Sequence, residues 1–166
     1  MAAKTRATDA VWTFVEHEHR DLVRGINRIH DVACEVGRWP TPELSVHVLG
    51  ILHWLDGTLE PHVAWEDAWL YPEIDARLGT PWATRAARFD HQQLREMAAR
   101  LRADRDRLKG DKPGDQQAEL RCHLFSLEAL VRAHIEREER FLIPLLDDNR
   151  PSRDRAEAAT PSAASG

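Results

Sequence analysis

Apolar residues recur at spacings of three and four along almost the whole of this 166-residue chain, and no stretch alternates as a half-buried strand would. That periodicity limits the fold to helices, and the helix breakers say how many. The first segment runs from about Thr8 to Val36 and stops at Gly37. After the loop "GRWPTPEL", Thr41 is placed to cap a second segment and Pro42 to be its first helical residue; this segment reaches Leu78 and stops at Gly79. Pro61 and Pro72 lie inside it and should kink or split it, because neither carries the amide hydrogen that the helix ladder uses. Thr80 and Pro81 repeat the cap-then-proline signal ahead of a third segment that ends near Lys109, and "KGDKPGD" leads into a fourth, from about Asp115 to Asp148. Short links between long helices predict an all-α, up-down-up-down four-helix bundle in a single domain over residues 8–148. Residues 1–7 are then an N-terminal extension and residues 149–166 a disordered polar tail.

Composition narrows the function classes. A net charge of -5 with no arginine-rich arm or basic face argues against a nucleic-acid partner. The start, "MAAKTRATDAVWTF", has no apolar run of signal-peptide length, and no later stretch reaches membrane-spanning length. A cytoplasmic protein with no membrane partner is expected, with Cys34 and Cys122 as reduced thiols. The nine histidines are the unusual feature.

Two stretches, "HVAWEDAWLYP" (62–72) and "HIEREERFLIP" (134–144), repeat one pattern: histidine, glutamate four residues on, a second acid, then aromatic, leucine, apolar residue and proline. On a helical wheel at about 100° per residue, Leu55, Leu59, Trp65, Glu66, Trp69 and Leu70 fall on the side of His62. Leu127, Leu130, Val131, Glu138, Phe141, Leu142 and Leu145 fall on that of His134. Both histidines and both acids therefore lie in core stripes, where an unpaired carboxylate costs several kcal/mol. One such pair reads as a buried ion pair. Two on two core stripes read as metal ligands, since a histidine and an acid one turn apart can converge on one bundle centre.

On the first helix, His17 shares its face with Thr13, Arg20, Asp21 and Arg24, whereas His19 shares its face with Trp12, Val15, Leu22, Val23 and Ile26, so only His19 looks inward. On the third, His91 stands with Ala87, Leu94 and Ala98, flanked by Arg88 and Arg95. His19 to His91, His62 to His134 and Glu66 to Glu138 are each separated by 72 residues. The halves of this internal repeat would bring four imidazoles and two carboxylates to the core, the logic of a dinuclear site with bridging acids and terminal histidines, one metal to each half. The mixed nitrogen and oxygen donors suit iron or manganese, and no cysteine lies at structural-zinc spacing.

"EHRDL", "HVAWEDAWLYP", "DHQQL" and "HIEREERFLIP" resemble, in order, the four helix signatures of the hemerythrin-like, or HHE cation-binding, family. The resemblance implies a non-haem di-iron centre with an oxo or hydroxo bridge, binding dioxygen or related small oxidants; manganese or zinc would accept the same ligands. By motif, the metal ligands would be His19, His62, His91 and His134 as terminal groups, with Glu66 and Glu138 bridging. The oxygen-carrier branch has a second histidine four residues from that on the third helix, where this chain has Ala87 and Arg95, and it spaces the last carboxylate five residues from its histidine rather than four. Two histidines per metal imply a more open, more symmetric site, closer to a bacterial type responsive to oxygen, nitric oxide or peroxide. A sensing module read by a protein partner that the sequence does not name is the first reading. An enzyme consuming peroxide or nitric oxide is the second, and iron storage or delivery the third.

Among the remaining groups, Asp67 and Glu139 turn off the ligand axis and read as solvated acids, and Tyr71 falls opposite His62 and receives no role. His47 and His53 read as surface or boundary residues. His30 and His123 fall on inward stripes at one level, about 16 Å from the metals, with Cys34 and Cys122 nearby, and read as a polar pair closing that end of the bundle.

Overall fold

The computed structural model of the chain describes residues 2–108 and 116–146, with side chains at Val15 and from residue 17 onward. Helix α1 spans Ala2–Glu35, so the expected extension is helical from residue 2. Helices α2 (Thr41–Trp54), α3 (Glu60–Trp65) and α4 (Tyr71–Leu78) form one rod, joined by π turns at Leu55–Leu59 and Glu66–Leu70. Helix α5 spans Trp82–Arg107. Helix α6 (Gln116–Arg137) runs through a third π turn, Glu138–Leu142, into a 3-10 turn, Ile143–Leu146. No strand occurs among the described residues, and none of their helices is long and apolar enough to cross a membrane. The expected tail lies outside the described residues.

The prolines explain the π turns. In each turn, the amide just before a proline bonds five residues back: Glu60 to Leu55 O, Tyr71 to Glu66 O and Ile143 to Glu138 O. In α geometry the rings of Pro61, Pro72 and Pro144 would collide with the carbonyl four residues back. Widening the turn by one residue relieves that collision, so the rod is segmented rather than broken. A residue added to one turn also sets everything after it back by about 100° on the helix face.

The helix starts depart from expectation twice: α5 begins at Trp82 with Pro81, not Thr80, as its N-cap, and α2 is shifted in the same way. Pro40, not Thr41, is the N-cap of α2, because Thr41 is drawn into the core, where its hydroxyl has no hydrogen-bond partner. Gly79 closes α4 as expected, with φ 67° in the left-handed region that a Cβ disfavours, and Thr80 N–H bonds back to Asp75 O. At the start of α5 the Thr80 hydroxyl accepts from Trp82 N–H at 3.4 Å.

Helix α1 packs on α2 and α6, α5 packs on α2, α4 and α6, and α4 also touches the Ile143–Leu146 turn at the end of the fourth rod. The apolar interior is divided in two. The larger part includes Leu22, Ile26, Val63, Leu94, Leu127 and Val131; the smaller holds Leu70, Tyr71, Ile74, Ala87, Leu142 and Leu146. On the second and fourth rods a buried histidine and glutamate, and on the third a buried histidine, stand where the chain passes from one part to the other, and His19 of α1 precedes the larger part.

Candidate metal centre

All six side chains expected as ligands come together. His19, His62, Glu66, His91, His134 and Glu138 are each between 0 and 3% exposed. They form two overlapping groups of four, in each of which one donor atom per residue lies within 4.8 Å of the others: His19, His62, Glu66 and Glu138, and Glu66, His91, His134 and Glu138. The imidazoles divide between the groups as the repeat predicts, while both carboxylates belong to both groups. His19 meets His62 edge-on at 5.3 Å between ring centroids, and His91 meets His134 in the same manner at 4.8 Å.

Every Nε2 faces a carboxylate. Glu66 has His62 Nε2 at 2.8 Å, His91 Nε2 at 3.2 Å and His134 Nε2 at 3.5 Å, while Glu138 Oε2 has His19 Nε2 at 3.4 Å and His134 Nε2 at 3.5 Å. Yet both oxygens of Glu66, Oε2 of Glu138 and Nε2 of His19, His62 and His134 lack any hydrogen bond. Near neighbours without hydrogen-bond geometry are what donor atoms aimed at shared points between them would produce. Two carboxylates and four imidazoles out of water fit a pair of divalent cations, which would relieve a desolvation cost of several kcal/mol per buried ion.

The Nδ1 sides face outward to acids. His91 Nδ1–H donates to Asp67 Oδ1 at 3.0 Å and His19 Nδ1–H donates to Glu139 Oε1 at 3.0 Å. Glu18 stands 3.9 Å from His62 Nδ1 and Asp90 3.8 Å from His134 Nδ1. Asp67 and Glu139 are therefore not merely solvated, although they are 30% and 50% exposed. Each fixes the orientation of one histidine by accepting from Nδ1–H; Nε2 of His19 is then left without a hydrogen bond, whereas that of His91 meets the Tyr71 hydroxyl. Asp67 is held in turn by Arg88 and Arg95, and Asp90 pairs with Arg137. A signal for these acids was present: Glu18 to Asp90 and Asp67 to Glu139 are also 72 residues apart.

Tyr71 belongs to the site, against expectation. It is fully buried, its hydroxyl donates to Glu138 Oε1 at 2.5 Å, and it stands 3.1 Å from His91 Nε2. An unbroken α-helix would put it opposite His62; the π turn at Glu66–Leu70 swings it back onto the core face. The same shift turns Trp69 and Phe141 out of the core stripes where the wheel placed them, to 70% and 65% exposure. The neighbouring Leu70 and Leu142 stay buried.

Charge inside the cluster is mutually stabilised. Burial opposes protonation of His19, but the carboxylates of Glu138 and Glu139 outweigh it and hold the imidazole above its usual value. Burial likewise opposes protonation of His134, and Glu138 and Glu66 outweigh it. Burial pushes Glu66 up, but His134, His62 and His91 pull it well below the usual carboxylate range. Burial and the charges of Glu138 and Glu66 drive the Tyr71 phenol far above its usual value, so it keeps its proton as a donor. The charged forms of His19, His134 and Glu66 thus support one another.

Two cavities reach the cluster from outside. One of about 80 Å³ touches His91 between Leu59, Val63, Leu94 and Ala98, under the Arg95–Glu60 and Arg102–Asp56 ion pairs. Another of about 300 Å³ opens beside His19 and Glu139.

The other histidines stand apart. His17 and His53 are exposed, and His47 stacks on Trp39 at 4.1 Å. His30 and His123 do not form the expected inward pair: His30 turns to Glu128 and Cys34, whereas His123 Nδ1–H donates to Asp104 Oδ2 at 2.6 Å. Both sit at the edges of their core stripes, one on the α1–α6 seam and the other on the α5–α6 seam, and Cys34 and Cys122 are exposed.

A family model described as the hemerythrin HHE cation binding domain matches residues 10–157. Searches of curated proteins and of solved structures returned no significant match.

Proposed function

Because the chain belongs to the hemerythrin HHE cation-binding family, we propose that it holds two iron ions in its core and uses them to bind or sense dioxygen or a related small oxidant, nitric oxide or peroxide. In this reading His19 and His62 would hold one ion, His91 and His134 the other, and Glu66 and Glu138 would serve both. The observation that carries it is that both groups of four share both carboxylates. Bound there, iron would supply one-electron redox chemistry and open coordination positions. The chain's own residues set the rest: Asp67 and Glu139 orient imidazoles, Tyr71 holds one oxygen of Glu138, and the apolar residues on either side exclude water.

The rods follow one another as an up-down-up-down bundle in this reading, supported by the short links at 36–40 and 79–81. We set the protein in the cytoplasm, where its two thiols stay reduced. The test is to add dioxygen, nitric oxide or peroxide to the reduced, iron-loaded protein and follow its charge-transfer absorption. A new band with at least one ligand is expected; a spectrum indifferent to all three ends the reading.

A second reading, an enzyme that consumes peroxide or nitric oxide, draws on the cavity at His91, which has room for a molecule of that size. Steady-state turnover separates the two, since a sensor saturates while an enzyme goes on consuming substrate.

A further inference from the structure

We propose that Cys34, His30 and Glu128 form a second reactive site, a surface thiol poised for oxidation by hydroperoxides. It lies on the α1–α6 seam and shares no residue with the metal centre. His30 and Cys34 are one helical turn apart on α1, which brings Cys34 Sγ to 3.5 Å from His30 Nε2. Across the seam, His30 Nδ1 lies 3.0 Å from Glu128 Oε2. A carboxylate only accepts, so Nδ1 carries the proton and the Nε2 lone pair faces the sulfur, the tautomer a general base for the thiol requires.

The base is held from α6. Arg132 Nε donates to the other Glu128 oxygen at 3.0 Å and Arg132 also donates to Asn27 Oδ1 at 3.1 Å, so both carboxylate oxygens have fixed partners. Phe125 packs edge-on against the imidazole, at 5.7 Å between centroids. Nucleophile, base and orienting acid thus stand in sequential hydrogen-bond reach on two helices, with the sulfur exposed to a reagent. Cys122 supplies the contrast. It is equally an exposed free thiol, and no hydrogen bond to it occurs among the described residues.

The reaction balances without another component. The Cys34 thiol gives its proton to His30 Nε2, and the thiolate attacks one oxygen of hydrogen peroxide. The S–O bond forms as the O–O bond breaks, and the departing hydroxide takes the proton from the imidazolium and leaves as water. Sulfur loses two electrons, peroxide gains them, and Cys34 becomes a sulfenic acid.

The test uses the full-length, metal-loaded protein at pH 7, treated in parallel with iodoacetamide and with hydrogen peroxide plus a sulfenic-acid trap. Modification at Cys34 and Cys122 is followed separately by peptide mass spectrometry. An unassisted thiol is only a few per cent thiolate at this pH, so Cys34 should react about tenfold faster than Cys122 with both reagents. His30→Gln should erase that advantage and Glu128→Gln reduce it, with bound metal unchanged. Equal rates at the two cysteines, or an unchanged Cys34 rate in His30→Gln, overturn the proposal. Faster peroxide oxidation without faster alkylation also overturns it, since that would trace the oxidation to iron. The same alkylation difference is expected in metal-stripped protein, so failure of this site and failure of the metal reading are separable.

Discussion

Replacing Tyr71 with phenylalanine isolates one hydroxyl group inside the proposed centre. The ring keeps its neighbours, because it stacks on His91 at 5.2 Å between centroids and carries the Arg88 guanidinium 5.1 Å from its own centroid. Only the oxygen that donates to Glu138 Oε1 at 2.5 Å is lost. The acceptor is a fully buried carboxylate and the bond is short, so losing it should cost about 1.5–3 kcal/mol. In a domain of this size, 1 kcal/mol moves the midpoint by roughly 2–4 °C, so Tyr71→Phe should melt about 3–12 °C below wild type. The comparison belongs in metal-stripped protein, by calorimetry and by denaturant titration, where Glu138 has no cation to replace the lost donor. With metal bound, the gap should narrow. A midpoint within about 1 °C of wild type in the stripped protein would show that Tyr71 is not bonded to Glu138, and with it that the π turn does not carry Tyr71 into the core.

Leu70→Ala should cost about 2–5 kcal/mol while Trp69→Ala stays within about 0.5 kcal/mol in denaturant unfolding, because the π turn buries one and exposes the other; a reversed order would restore the unbroken helix. Asp67→Asn takes the carboxylate from His91 Nδ1 and should weaken metal binding about 10- to 100-fold in chelator competition, with unchanged affinity counting against the orienting role. The raised imidazoles of His19 and His134 stabilise the metal-stripped protein fully below their unfolded value near 6.5, and that contribution is lost as pH rises through the folded values. The lowered carboxyl of Glu66 stabilises it above its unfolded value near 4.5 and is lost as pH falls. Stripped protein should therefore melt highest between those two values and lower at pH 8, and metal uptake should release protons in calorimetry across buffers of different ionisation enthalpy. A midpoint that climbs steadily from pH 5 to 8 would contradict the charge assignment.

The six central residues were legible because burial and repetition point the same way. A histidine and an acid on a core stripe are costly, and the same pair recurs 72 residues later with a partner histidine at the same offset. Tyr71, Trp69 and Phe141 were misplaced because a wheel turning at a constant 100° assumes an unbroken α-helix. Each acid, Glu66 and Glu138, opens a π turn that ends just before a proline, and phase is lost from there on. Pro61, Pro72 and Pro144 stand at these places, but a missing amide implies a kink or a split, as expected at Pro61 and Pro72, and does not by itself announce an added residue. Asp67 and Glu139 looked solvated for a related reason: a wheel shows which face a side chain leaves from, not that it reaches back to an imidazole on a neighbouring rod. His30 and His123 share a level, yet levels do not fix seams, and each found an acid on a different one.

Two carboxylates and four imidazoles buried together call for cations to balance them. Metal analysis of the purified full-length chain, with absorption spectra before and after reduction and a melting curve before and after chelation, tests this most directly. Expected are close to two iron ions per chain, absorption that changes on reduction, a lower midpoint once metal is removed, and loss of both ions in Glu66→Ala. A chain that purifies without metal, takes up none when iron is offered, and melts at the same temperature with or without chelator would contradict that expectation.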